Sequence, residues 1–270
     1  MTTVSDAIAF LEKFAPPDLA ETWDNVGLLV GRRDSHVEKI MTCLTLTPDV
    51  AAEALEKDVQ LVVSHHPVLF RGAKQITDAT SEGRMLLDLI ENEVAVYSPH
   101  TSFDSAELGI NQQLAESFGL LEIVPLRPRE EGDSGDGGAE LGSGRVGRLA
   151  SAIDLKAFLT MLRTVVAADY VEFSGNLENS VERVAVACGS AAEFLEDAIR
   201  LGCDTFVTGE ARFHSALQAR GANVNLVLLG HYSSERPAVQ RLAEILSAEF
   251  SEANIFASAV ETDPLAVYSE

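Results

Sequence analysis

Leu61-Val62-Val63-Ser64-His65-His66 and Thr205-Phe206-Val207-Thr208-Gly209-Glu210 can be laid over one another, each with an apolar run that ends at the same place. Both read as short buried strands, rich in β-branched residues and stopped by polar ones. A second pair lies downstream. Val96-Tyr97-Ser98-Pro99-His100 followed by Asp104 matches Leu228-Leu229-Gly230-His231 followed by Glu235, with a one-residue offset in the strand. Self-similarity of this kind points to duplicated halves. Helical patterns separate the strands, and that alternation favours sheets covered by helices. The expected fold is α/β: two similar lobes with mixed sheets covered by helices, facing each other.

The rest of the chain fits around these strands. Thr3 can cap a helix in which Val4, Ala7, Ile8, Leu11 and Phe14 recur at helical spacing, and Pro16-Pro17 stops it. Lys39 to Leu46 reads as a strand, Thr47-Pro48 as a helix start, and Gly119 as the cap of a helix bearing Ile110, Leu114 and Phe118. A helix from about Asp154 to Val166 and a strand from Tyr170 to Phe173 open the second half. The strand Val184 to Cys188 follows, and Asn254 to Val260 reads as the last strand.

Pro125 to Gly144 differs, with Glu130, Glu131, Asp133, Asp136 and Glu140 among Gly and Ser. It lacks the apolar residues for a core and reads as a flexible linker. The expected division is therefore a lobe over 1–124, a linker over 125–144 and a lobe over 145–270. Gly142 to Gly147 matches GxGxxG but has no apolar strand before it, so it reads as a loop and not as a dinucleotide site.

Composition narrows the partners. The 270 residues carry 20 Lys+Arg against 42 Asp+Glu, a net charge of −22, which repels a polyphosphate backbone and argues against broad nucleic-acid binding. Anionic membrane surfaces are disfavoured for the same reason, and no stretch approaches the ~18 apolar residues of a spanning helix. Met1 to Phe14 lacks a basic leader and holds Asp6 and Glu12, so a cytoplasmic location is expected. Cys43, Cys188 and Cys203 are too few and too scattered for a disulfide framework and read as small buried residues.

Five of the six histidines, His65, His66, His100, His214 and His231, follow a strand or open the next helix, where α/β proteins bind ligands. His36 reads as a solvated turn residue. Adjacent side chains on extended backbone point to opposite sides, so His65 and His66 suit two neighbouring metals. A hydrogen-bonded structural pair is the alternative. His100 and Asp104, and His231 and Glu235, are each four apart and share a face if helical. Imidazoles with two carboxylates able to bridge suit a dinuclear centre. Glu210 and His214 form a further pair, read either as solvated or as support for a ligand. The chain has no GxxxxGK[ST], HExxH or GxSxG motif.

Glu21-Thr22-Trp23-Asp24-Asn25-Val26-Gly27-Leu28, Val30-Gly31, Ser64-His65-His66-Pro67, His100 with Phe103-Asp104, Thr208-Gly209-Glu210, and Gly230-His231-Tyr232 with Glu235-Arg236 occur in this order. Taken together, over nearly the whole chain, the pattern resembles the GTP cyclohydrolase 1 type 2 family, the Nif-three-like or YbgI-type dinuclear-metal proteins. The resemblance implies two divalent ions (Zn, Fe, Mn, Co or Mg) held by His65, His66, Asp104, His231 and Glu235 in a cleft between the lobes. It implies His100, Glu210 and His214 as further cleft residues with possible catalytic roles, and a ring-like homohexamer. Trp23-Asp24-Asn25 is a signature that reads as a packed aromatic with a turn or as a substrate contact. Two departures stand out. Many members carry a domain inserted midway, where this chain has its acidic linker, and Glu210 stands where Asp is common.

The resemblance implies metal-assisted hydrolysis of a small, nucleotide-like molecule, with Glu210 or a histidine moving the proton. A non-catalytic metal-binding or regulatory protein and a metal-dependent phosphoesterase remain the alternatives.

Overall fold

The computed structural model describes residues 1–129 and 141–268. The chain begins with helix α1 (Val4–Phe14), strands β1 (Gly27–Val30) and β2 (Lys39–Cys43), α2 (Pro48–Glu56), β3 (Leu61–Ser64), α3 (Ser81–Glu91), β4 (Ala95–Ser98), α4 (His100–Ser105) and α5 (Ile110–Ser117). It continues with β5 (Leu121–Pro128), β6 (Gly142–Asp154), α6 (Leu155–Val165), β7 (Glu172–Ser174), β8 (Ser180–Ala187), α7 (Leu195–Arg200) and β9 (Thr205–Thr208). The last elements are α8 (Phe213–Gly221), β10 (Asn225–Leu228), α9 (His231–Glu249) and β11 (Asn254–Ala257). Among the described residues no helix is long and apolar enough to cross a membrane.

Local signals set the helix ends. Thr3 and Asp6 form a reciprocal capping box on α1. Thr47 caps α2 with Pro48 in its first turn. Gly119, at φ +70°, follows α5 as expected of a glycine beyond a helix end.

The elements gather into two compact units, residues 1–103 with 238–262, and residues 104–237 with those from Asp263 onward. The division expected at 124 and 145 follows chain order, whereas the observed one follows strand pairing. Strand β11 returns to pair with β2, and β5 pairs with β6, which pairs with β8.

The first unit holds a five-stranded sheet, β1-β4-β3-β2-β11, parallel except for β1 at the edge. Met41, Val62 and Val96 pack there against Val50, Ala54 and Leu89 of its helices. The second unit holds a six-stranded sheet, β5-β6-β8-β9-β10-β7, in which β8, β9 and β10 are parallel and β5, β6 and β7 antiparallel to their neighbours. Ala185, Phe206 and Leu226 pack against Leu195, Ala198 and Ala219. Strands β3, β4 and β9 are buried at every residue, as parallel strands covered on both faces are.

The order β1-β2-α2-β3-α3-β4-α4 recurs as β7-β8-α7-β9-α8-β10-α9, with an antiparallel edge strand on β4 and on β10. The overlay of β3 on β9 and β4 on β10 is thus reproduced by topology. Register explains the one-residue offset. Val63 pairs with Tyr97, and Val207 with Val227, so His100 matches Gly230. Both have left-handed backbones, φ +31° and +84°.

Two expectations fail around the linker. Strand β5 runs through Pro128 and β6 begins at Gly142, so the flexible segment expected over 125–144 is strand at both ends. Residues 130–140 lie outside the described residues. Gly142 to Gly147 is not a loop but the start of β6, paired with β5 on one side and β8 on the other. The glycines fit because β6 lies close to its neighbours; a Cβ on Gly147 would meet Leu120 and Leu121.

Candidate metal centre

In the first unit, the β2–β3 pairing continues past the strand ends. His65 N–H donates to the Cys43 carbonyl at 2.9 Å and His66 N–H to the Leu44 carbonyl at 2.8 Å. Ser98 Oγ donates to the His65 carbonyl at 2.6 Å. The backbone of the pair is thereby fixed. His100 arrives from the end of β4. The ring centroids of His65 and His66 are 5.0 Å apart, those of His65 and His100 5.2 Å, and those of His66 and His100 5.6 Å. One ring nitrogen from each of the three lies within 4.8 Å of the others, a spacing that can enclose a metal ion.

Two of these rings have further polar partners. Thr45 Oγ1 lies 2.7 Å from His66 Nδ1. His100 Nδ1–H donates to Asp24 Oδ1 at 2.7 Å. Asp24 also accepts from the Thr101 N–H at 3.2 Å and from the Thr101 hydroxyl, so it caps the start of α4 from a distant loop. Burial opposes the Asp24 charge, but the bonds from His100 and Thr101 outweigh it and hold the carboxyl at about 2. With Asp24 ionised, a proton is held on His100 Nδ1, which fixes the orientation of the ring. The pairing of Asp24 with His100 spans 76 residues, and reading Trp23-Asp24-Asn25 as a turn gave no hint of it.

In the second unit, β8, β9 and β10 end side by side and set the donors level. Glu210 N–H donates to the Gly189 carbonyl at 2.9 Å, and Gly230 N–H to the Gly209 carbonyl at 3.0 Å. His231 opens α9. Its Nδ1 lies 3.0 Å from Glu210 Oε1 and its Nε2 3.0 Å from Glu235 Oε2. The four-residue spacing of His231 and Glu235 thus does bring them together. The Glu235 bond, aided by both carboxylate charges and opposed by burial, lifts the His231 imidazolium to about 9. Gly189 has a left-handed φ of +63°, and a Cβ there would collide with the Glu235 carboxylate.

Asp104 meets a residue the sequence assigned no chemistry. Cys188 Sγ donates to Asp104 Oδ1 at 3.2 Å, and Asn111 ties the two segments by accepting from Cys188 N–H (2.7 Å) and donating to the Asp104 carbonyl (3.0 Å). Burial first, then the Asp104 and Glu235 charges, push the Cys188 thiol up, so it stays protonated. All three cysteines are free and buried, as expected. Glu210 and His214 are not a helical pair: Glu210 precedes α8 and turns to His231, while exposed His214 lies beside Phe213, ring centroids 5.7 Å apart.

The three convergent imidazoles of the first unit, and the imidazole of the second unit with its two carboxylates, are nitrogen and oxygen donors of the kind that divalent cations take.

The sequence and the fold both have known relatives. Residues 2–264 match the family model of Duf34/NIF3 (NGG1p interacting factor 3). The chain is 32% identical over 241 residues to the GTP cyclohydrolase 1 type 2 homolog of Clostridium perfringens, covering 89% of this chain and 90% of that one. It is 31% identical over 260 residues to NIF3-like protein 1 of Drosophila melanogaster, covering 94% and 86%. Protein SA1388 of Staphylococcus aureus superposes with a TM-score of 0.89 at 26% identity, over 99% of each chain. The chain therefore belongs to the DUF34/NIF3 family, the family of the GTP cyclohydrolase 1 type 2 homologs.

Proposed function

We propose that this protein binds two divalent cations through His65, His66, Asp104, His231 and Glu235 and hydrolyses a small, nucleotide-like molecule. The observation that carries the reading is the engagement of the ligand candidates from behind: Thr45 on His66, Cys188 on Asp104 and Glu210 on His231. Outer partners of this kind fix the ring orientation and tautomer of metal-ligating side chains. Bound divalent cations would acidify water and offset the negative charge of an anionic substrate beside this acidic chain.

The chain's own residues have separable tasks. Asp24 holds a proton on His100 Nδ1 and so orients the ring. Glu210 is half exposed and bonded to His231, which suits it to pass a proton between solvent and the site. We also propose that the protein works as the ring-like homohexamer implied by its resemblance, which sedimentation would measure.

The test is metal content and GTP turnover in the parent and in His231→Ala. We expect divalent metal in the parent, with metal content reduced and turnover at least about 100-fold lower in the variant. Full turnover without bound metal contradicts the proposal.

A further inference from the structure

Trp23 and Phe70 are large aromatic side chains left 58% and 48% exposed. Their rings meet edge to face, 5.8 Å between centroids. Both also touch His100, Trp23 at 6.0 Å and Phe70 at 6.2 Å. The cluster is therefore continuous with the imidazoles of His65 and His66, which lie 5.2 and 5.6 Å from the same ring.

This exposure does not come from a slack loop. On one side of Trp23, Glu21 N–H donates to Thr101 Oγ1 at 3.0 Å. On the other, Asp24 is bonded to His100 and Thr101, and Asn25 Nδ2 donates to the Leu69 carbonyl at 2.6 Å. Asn25 thus links the loop of Trp23 to that of Phe70. The indole is held from both flanks while more than half of it faces water. An aromatic face fixed in this way binds a flat ring with little further loss of conformational freedom. Stacking on an aromatic is tolerant of which base it meets, because every heteroaromatic ring has a π face.

We propose that the exposed indole of Trp23, walled by Phe70, is a stacking platform for a purine ring and holds it beside His100. The proposal rests on the nucleotide-like substrate argued above and assigns its recognition to named residues. The Asp24–His100 bond then has two roles, setting the imidazole proton and fixing the platform's distance from the candidate ligands. The phosphates of a nucleotide are not read by this platform, so a nucleoside should engage it as well.

Trp23 is the single tryptophan of the chain, so its fluorescence reports this position alone. The full-length protein would be titrated with GTP, guanosine and inorganic triphosphate, with binding measured in parallel by equilibrium dialysis. We expect GTP and guanosine, but not triphosphate, to quench Trp23 and shield it from acrylamide. Trp23→Ala should weaken guanosine binding by about ten- to a hundredfold, with Trp23→Phe within severalfold of the parent and Phe70→Ala between the two. Quenching by guanosine without any turnover of GTP would keep the platform and remove the hydrolase reading. Bound guanosine with unchanged fluorescence, or unchanged affinity in Trp23→Ala, would overturn the platform and leave the hydrolase reading standing. Acrylamide failing to reach Trp23 in the free protein, or no binding of either purine, would also overturn it.

Discussion

At the ends of β3 and β4 the first unit carries three imidazoles, whereas at the ends of β9 and β10 the second carries one imidazole among carboxylates. The two regions share their strand order and helix connections, and an antiparallel strand flanks the same position in each. They differ in which residues follow the strands. His65 and His66 stand where the second unit has Gly209 and Glu210, and His100 stands where it has Gly230. A repeated scaffold thus fixes where side chains emerge, and local substitution sets their chemistry. Nitrogen donors dominate one copy and oxygen donors the other, a combination that spans the preferences of Zn, Fe, Mn and Co.

The units also differ at the opposite sheet edge, where the first has β11 and the second has the β5–β6 pair. That pair is anchored by Arg145, 1% exposed, which donates to Gln112 Oε1 (2.8 Å) and to the carbonyls of Gly142 (2.7 Å), Gly144 (2.8 Å) and Ala106 (2.8 Å). Arg145→Met leaves these buried acceptors without their donor. We expect a loss of about 3–5 kcal/mol in urea unfolding, the largest effect among these predictions. An unchanged midpoint would show that the pair is not anchored through Arg145.

The next effect sharpens the first unit's side of the contrast. The Asp24 carboxyl sits at about 2 in the fold, against an ordinary value of 3.8. Because the folded value is depressed, its stabilisation is fully present above the ordinary value and is lost as pH falls through about 2. Asp24→Asn should therefore lose about 2 kcal/mol at pH 7 and much less at pH 2. Urea unfolding at the two pH values checks the sign. A loss of equal size at both would show that charge is not the cause. The smallest effect is expected on the oxygen-rich side. Glu210 is half exposed, and Glu210→Gln should weaken metal affinity about tenfold, measured by competition with a chelator.

Much of the paired scaffold was legible in the sequence because β3, β4, β9 and β10 are runs of apolar residues that end abruptly. The histidines were legible as candidates because they fall at those ends. What escaped depends on contacts between distant segments. Strand β6 begins with glycines and a buried arginine, a composition typical of loops, and its strand character comes from β5 and β8 on either side. Strand β1 is four residues long and only partly buried, too short to show a period. Asp24 reads as a turn residue until the fold carries it to His100. Cys188 was legible as buried, but its bond to Asp104 crosses 84 residues.

The central proposal is that the protein binds two divalent cations through His65, His66, Asp104, His231 and Glu235. It is tested most directly by the equilibrium metal stoichiometry of the full-length protein, alongside His65→Ala and Glu235→Gln. The account predicts two ions per chain in the parent and fewer in each variant, although one change lies at β3 and the other on α9. A parent that takes up no divalent metal, or variants that keep the parent's stoichiometry, would contradict it.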